Sequence, residues 1–157
     1  MSKIELVEVV IREGQGKPVL LSKYEEKRGG ILNMEKDMID WQNNVRYVHN
    51  LMQQAYLGAT AAIDTLSSYE DDKKYHMSLA FLTLAEQSYL EAKRFYQTHE
   101  NIERIEFDEL FRKYEEYKFE LMKTISDKDK NTSWLHSRYE TLKDSIAGLN
   151  QLVDNIR

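Results

Sequence analysis

At 157 residues the chain is long enough to bury a core in one domain without covalent staples. It has no Cys, which excludes disulfides and thiolate metal sites and points to a reducing compartment. Its 22 Lys and Arg stand against 27 Asp and Glu, a formal charge of −5, and the first 66 residues hold 8 and 9 of these, so neither part offers the basic footprint that nucleic acid needs. No apolar run approaches membrane-spanning length and the N-terminus lacks a signal-peptide pattern, so the expectation is a cytoplasmic protein without membrane contact. The one Pro, at position 18, predicts long uninterrupted helices after it.

A first strand is predicted over Lys3–Arg12, with Ile4, Leu6 and Val10 on one face and Val7, Val9 and Ile11 on the other. Lys17–Ser22 returns as its partner, with Pro18 at a strand start. The intervening Gly14-Gln15-Gly16-Lys17-Pro18 has the look of a phosphate loop but not its spacing. Such a loop needs Gly five residues before the Gly-Lys pair and Ser or Thr after it, and Ile11 and Pro18 occupy those places. It reads as a hairpin turn. The six aliphatic residues Ile4, Leu6, Val7, Val9, Val10 and Ile11 are more than so narrow a ribbon can bury by itself: the ribbon either packs onto the helices of its own chain or docks on a second chain, which makes them candidate partner-binding residues. Ser22–Glu25 resembles a capping box opening one short helical turn, closed by Gly29-Gly30.

From Ile31 a heptad register holds without a slip: Ile31, Met34, Met38, Trp41, Val45, Val48, Met52, Ala55, Ala59, Ala62, Leu66. A helix carrying it would be about 50 Å long at ~1.5 Å per residue, so an elongated protein is expected. The small residues Ala55, Gly58, Ala59 and Ala62 let a neighbouring backbone approach closely. Ser67–Asp72 breaks the register. A second helix, Tyr69 to His99, carries two apolar faces, one through Tyr75, Leu79, Leu82, Tyr89 and Tyr96 and one through Phe81, Ala85, Ala92 and Phe95. A third, Ile105 to Ile125, shows Phe107, Leu110, Tyr114, Tyr117 and Leu121. After the polar loop Ser126–Ser133, a fourth carries Leu135, Tyr139, Leu142, Ile146, Leu149, Val153 and Ile156. The fold class is therefore mainly α: an elongated antiparallel bundle of three or four long helices with coiled-coil-like seams and an N-terminal β-hairpin. Residues 1–30 form the hairpin and connector and 31–157 the bundle, within a single domain overall.

Four histidines invite a metal-binding bundle, yet none of His49, His76, His99 and His136 has Glu three residues earlier, as two-metal carboxylate sites require. Asp72 with His76 and His136 with Glu140 are one helical turn apart and read as surface pairs, and Glu86 and Glu91 alone make no ligand set. The stretch "RFYQTH", Arg94 to His99, resembles the Arg-x4-His signature of HEPN-domain ribonucleases, which are also helical bundles. The resemblance covers six residues and implies that Arg94 and His99 act together on RNA in a dimer; Phe95 departs from the polar residue usual there. The bundle "LAFLTLAEQSYLEAKRFY" has the spacing of one tetratricopeptide unit, but no neighbouring helix repeats it. The tyrosines of the last three helices are expected at the core or its edge, with hydroxyls reaching solvent. Together these features predict a non-catalytic interaction protein, an adaptor, inhibitor or small structural subunit of bacterial or phage origin. It would need no cofactor or metal and would bind a protein partner, another copy of itself, or both. The alternatives are the ribonuclease and the metal-binding bundle.

Overall fold

The computed structural model describes the backbone of residues 20–156 and the side chains from Met34 to Ile156. Four helices account for nearly all of it: α1 (Leu20–Ser68), α2 (Lys73–Thr98), α3 (Ile105–Asp127) and α4 (Ser133–Asp154), with a 3-10 turn at Glu100–Ile102 before α3. The chain divides into two units, Met1–Trp41 and Gln42–Arg157.

The predicted hairpin is not supported. Its first strand and turn lie outside the described residues, and the end of its second strand, Leu20–Ser22, is the start of α1. Nor do Gly29 and Gly30 close a short turn, because α1 runs through them. Two interior glycines cost about 2 kcal/mol relative to Ala, but helix-forming residues on both sides propagate through them. Leu20, Tyr24 and Lys27 thereby extend the heptad register backwards from Ile31.

In the second unit the bundle is antiparallel and closed. Ser78 Oγ donates to the Ala62 carbonyl at 2.8 Å and Ser88 Oγ to Gln54 Oε1 at 3.3 Å, joining α1 to α2. Lys118 Nζ meets Glu86 Oε1 at 2.6 Å between α3 and α2, and Arg138 meets Glu116 at 3.3 Å between α4 and α3. Tyr56 and Tyr139 hydroxyls lie 3.1 Å apart between α1 and α4. The seam of α1 forms the centre: Val45, Val48, Met52, Ala55, Ala59, Ala62 and Leu66 are all buried. So are the expected Phe107, Leu110, Tyr114, Tyr117 and Leu121 of α3, and Leu135, Leu142, Ile146 and Leu149 of α4. On α2 the stripe holds for Tyr75, Leu82, Tyr89 and Tyr96, but Leu79 is exposed and Ser78 takes the inward place. Lys128 closes α3 in the left-handed region, φ 48°, where its backbone N–H reaches the Ile125 carbonyl at 3.3 Å.

At Gly58, α1 and α2 approach closely. A Cβ placed there would stand 2.8 Å from Ala85 Cβ and 3.1 Å from Ala85 Cα, inside van der Waals contact. Gly148 on α4 faces open space instead. The two glycines should therefore respond oppositely to alanine. Gly148→Ala should raise stability by roughly 0.5–1 kcal/mol through helix propensity alone. Gly58→Ala gains the same propensity but must push two backbones apart, and a net loss of about 1 kcal/mol is expected. Thermal melts of both variants check this; equal stabilisation would mean the α1–α2 contact yields freely.

Candidate interaction surface

Three of the four histidines, His49, His99 and His136, are occupied by helix and bundle contacts. His49 Nε2 lies 2.6 Å from Asn150 Oδ1, and Gln53 donates to the same oxygen, so an α1–α4 amide–imidazole cluster replaces any ligand geometry. Asp72 bonds Lys128 Nζ at 3.0 Å across the two loops, and His76 is exposed. His136 Nδ1 reaches the Thr132 carbonyl at 2.9 Å while Glu140 lies 3.8 Å from Lys143. Among the described residues no group of three His, Asp or Glu is placed to hold a metal ion.

Arg94 and His99 share the last turns of α2, but their surroundings differ. His99 caps the helix: its Nδ1 lies 2.7 Å from the Phe95 carbonyl and its ring stacks on the Phe95 ring at 3.8 Å between centroids. The carbonyl can only accept, so Nδ1 carries the proton. Phe95, the residue that departs from the ribonuclease pattern, thus covers one face of the imidazole, and its other neighbour is Tyr47 at 4.6 Å. Arg94 is exposed, with no side-chain hydrogen bond or ion pair among the described residues.

Four tyrosines of α2 and α3, Tyr89, Tyr96, Tyr114 and Tyr117, have hydroxyls that find protein partners, whereas Tyr69 is exposed. Tyr89 donates to Glu115, which also holds Lys93 Nζ at 2.7 Å; Tyr114 donates to Glu86 at 3.1 Å beside Lys118. Tyr96 OH lies 2.9 Å from Asp108 Oδ1 and accepts the Arg104 backbone N–H at 3.0 Å. Tyr117 donates to the Ala59 carbonyl at 2.5 Å. Burial pushes the phenols of Tyr89, Tyr114 and Tyr117 far up, with the Glu115 and Glu86 carboxylates adding to the first two. Tyr56 and Tyr96 are raised to about 12, chiefly by burial. The Lys93 ammonium and the Tyr89 hydroxyl in turn hold the Glu115 carboxyl below the usual range. Phenols so raised stay protonated at neutral pH; those of Tyr89, Tyr96 and Tyr114 clamp α2 to α3, and that of Tyr117 ties α3 to α1.

No family model, curated protein or solved structure matches the chain.

The feature that the periodicity did not separate from the core is the first part of the α1 seam. Val45 and Val48 are 0 % exposed, whereas Met34 and Met38, in the same register, are 72 % and 62 % exposed. Ile39 beside them is exposed as well. The signal was available in lengths: α1 has 49 residues and the other described α-helices 22 to 26, so among the described residues no helix matches its whole seam. Smaller exposed apolar positions occur on the bundle, with Leu57 and Leu84 flanking the Gly58–Ala85 contact and Phe119 and Trp134 on α3 and α4. The sequence-predicted partner-binding residues Ile4, Leu6, Val7, Val9, Val10 and Ile11 lie outside the described residues. Among the described residues no helix is long and apolar enough to cross a membrane.

Proposed function

We propose that this chain is a non-catalytic interaction protein of the cytoplasm, an adaptor, inhibitor or small structural subunit that presents a helical seam to a protein partner. The observation that carries the reading is the exposure of Met34 and Met38 on a register whose later positions form the bundle core. A bundle that closes its own core does not need that stripe for its own stability, and methionine-rich apolar stripes adapt readily to partner surfaces. The aliphatic run Ile4–Ile11 belongs to the proposal on its sequence alone.

The test compares capture from the native host by the full chain and by the Met34→Glu/Met38→Glu variant. One protein should be recovered stoichiometrically with the first and lost with the second, while both melt at the same temperature. Removing residues 1–19 should weaken capture and spare the bundle. An RNA-cleavage assay tests the enzyme alternative: cleavage by the purified chain, lost in both Arg94→Ala and His99→Ala at unchanged melting temperature, would overturn the non-catalytic reading.

A further inference from the structure

At one end of the bundle all four helices border a pocket of about 150 Å³. Ser67 comes from the end of α1, Lys74 and Tyr75 from the start of α2, and Thr124 from the last turns of α3. Asp129, Lys130 and Thr132 come from the loop before α4. The space admits several waters or one small tetrahedral ion. Two helix starts and two helix ends meet here, so their dipoles offset one another and the side chains decide the charge.

Those side chains leave two ammoniums without a countercharge. Asp72 holds Lys128 Nζ at 3.0 Å, Asp71 accepts the Lys73 backbone N–H at 2.9 Å, and Asp129 Oδ1 accepts that of Asn131 at 2.9 Å. Lys74 and Lys130 bond no carboxylate among the described residues. Lys74 Nζ lies 5.3 Å from the centroid of the Tyr75 ring, and Lys128 Nζ lies 5.8 Å from the same centroid. A ring face attracts a cation without using up its N–H donors, so Lys74 keeps them for an anion. On a chain of net charge −5, this lining sets two cations against one carboxylate.

The hydroxyls and that carboxylate narrow the choice of anion. Ser67 Oγ donates to the Ile63 carbonyl at 3.1 Å and Thr124 Oγ1 to the Glu120 carbonyl at 2.8 Å. Each hydroxyl has one proton to give, so both offer the pocket lone pairs only, as does the second oxygen of Asp129. Such acceptors repel an anion stripped of its protons and bond one that keeps an O–H. At neutral pH free phosphate keeps an O–H and sulfate has none, while phosphate monoesters, with a second pKa of about 6, have mostly lost theirs.

We propose that this pocket binds inorganic phosphate as hydrogenphosphate. Lys74 and Lys130 donate to its oxygens, and its O–H donates to the acceptors of Asp129, Ser67 and Thr124. The inference is independent of the reading of α1 as an interaction helix.

The test is an NMR titration of the full chain with phosphate, sulfate and glycerol phosphate, at an ionic strength held constant with chloride. The amide signals of Thr124 and of residues 129–132 should saturate with phosphate at a dissociation constant on the order of 1 mM, and sulfate and glycerol phosphate should bind about tenfold more weakly. Lys74→Gln/Lys130→Gln should weaken phosphate binding by about tenfold or more while melting as the wild type does. Lys143→Gln, further along α4, should leave binding unchanged. Asp129→Asn, whose amide can donate as well as accept, should bring sulfate to within about twofold of phosphate.

No saturation at about twenty times that phosphate concentration overturns the proposal. Binding that survives loss of both lysines, or that weakens equally in Lys143→Gln, puts the ion elsewhere and overturns the pocket. Sulfate or glycerol phosphate bound as tightly as phosphate by the wild type overturns the hydrogenphosphate assignment, and so does a phosphate preference that persists in Asp129→Asn.

Discussion

Val48→Asp should abolish cooperative folding of the bundle, and Leu142→Asp should do nearly the same. Val48 is wholly buried at the centre of the α1 seam and Leu142 is buried on α4. An aspartate at either place must leave its carboxylate without water or a countercharge, or take up a proton, and also removes well-packed apolar volume. The combined cost is about 3–5 kcal/mol, the lower range of the whole stability of a small domain. Chemical denaturation followed by the helical signal measures it. Leu84→Asp, at an exposed position of α2, is the control and should shift stability by no more than about 0.5 kcal/mol. Equal, small effects in all three variants would put the seams at the surface and end the bundle description.

The second large effect is expected in alkali. The phenols of Tyr89, Tyr114 and Tyr117 are fully buried and raised far above the ordinary value near pH 10. A group whose folded pKa is raised contributes its full stabilisation below the unfolded pKa and loses it as the pH climbs towards the folded one. Above about pH 10 the unfolded chain therefore sheds phenolic protons that the bundle retains, and stability falls by about 1.4 kcal/mol per group per pH unit. Three such groups remove about 4 kcal/mol by about pH 11, with Tyr56 and Tyr96 adding to the loss. Tyrosinate absorbance and loss of helical signal should then rise together in one transition. Ionisation of all ten tyrosines near pH 10 with the helical signal intact would show that the hydroxyls are open to water.

The bundle was legible because its evidence is local and repetitive. Heptad positions from Val45 to Leu66, and the stripes through Phe107–Leu121 and Leu135–Leu149, need only a periodic pattern to be assigned to a core. Leu20–Gly30 failed for a related reason: a short mixture of aliphatic and polar residues fits a strand edge and a helix equally well, and Gly-Gly reads as a stop although its cost is small beside a long helix. Leu79 and Ser78 exchanged roles because a one-residue rotation of α2 depends on what α1 and α3 present to it, which no window of α2 contains. The partners of the tyrosine hydroxyls were beyond reach on the same ground, since each lies on another helix. For the candidate surface, Met34 and Met38 were visible as seam positions. Their exposure follows from the lengths of the other three helices, which the periodicity of α1 alone does not report.

Two alanines of α1 pass on a consequence of their size. Ala59 and Ala62 offer no side chain beyond Cβ, and their carbonyls are reached by Tyr117 from α3 and Ser78 from α2. Apolar seams of similar residues can slide along one another by a heptad at modest cost, since leucine replaces leucine. A hydroxyl bound to a main-chain oxygen cannot follow such a slip without being stranded in the core, and here two neighbours are pinned to the same turn of one helix. These contacts work as detents: they tell the three helices where to stop. A larger residue at either alanine would screen the oxygen and leave the alignment to hydrophobic packing, which tolerates many registers and specifies few.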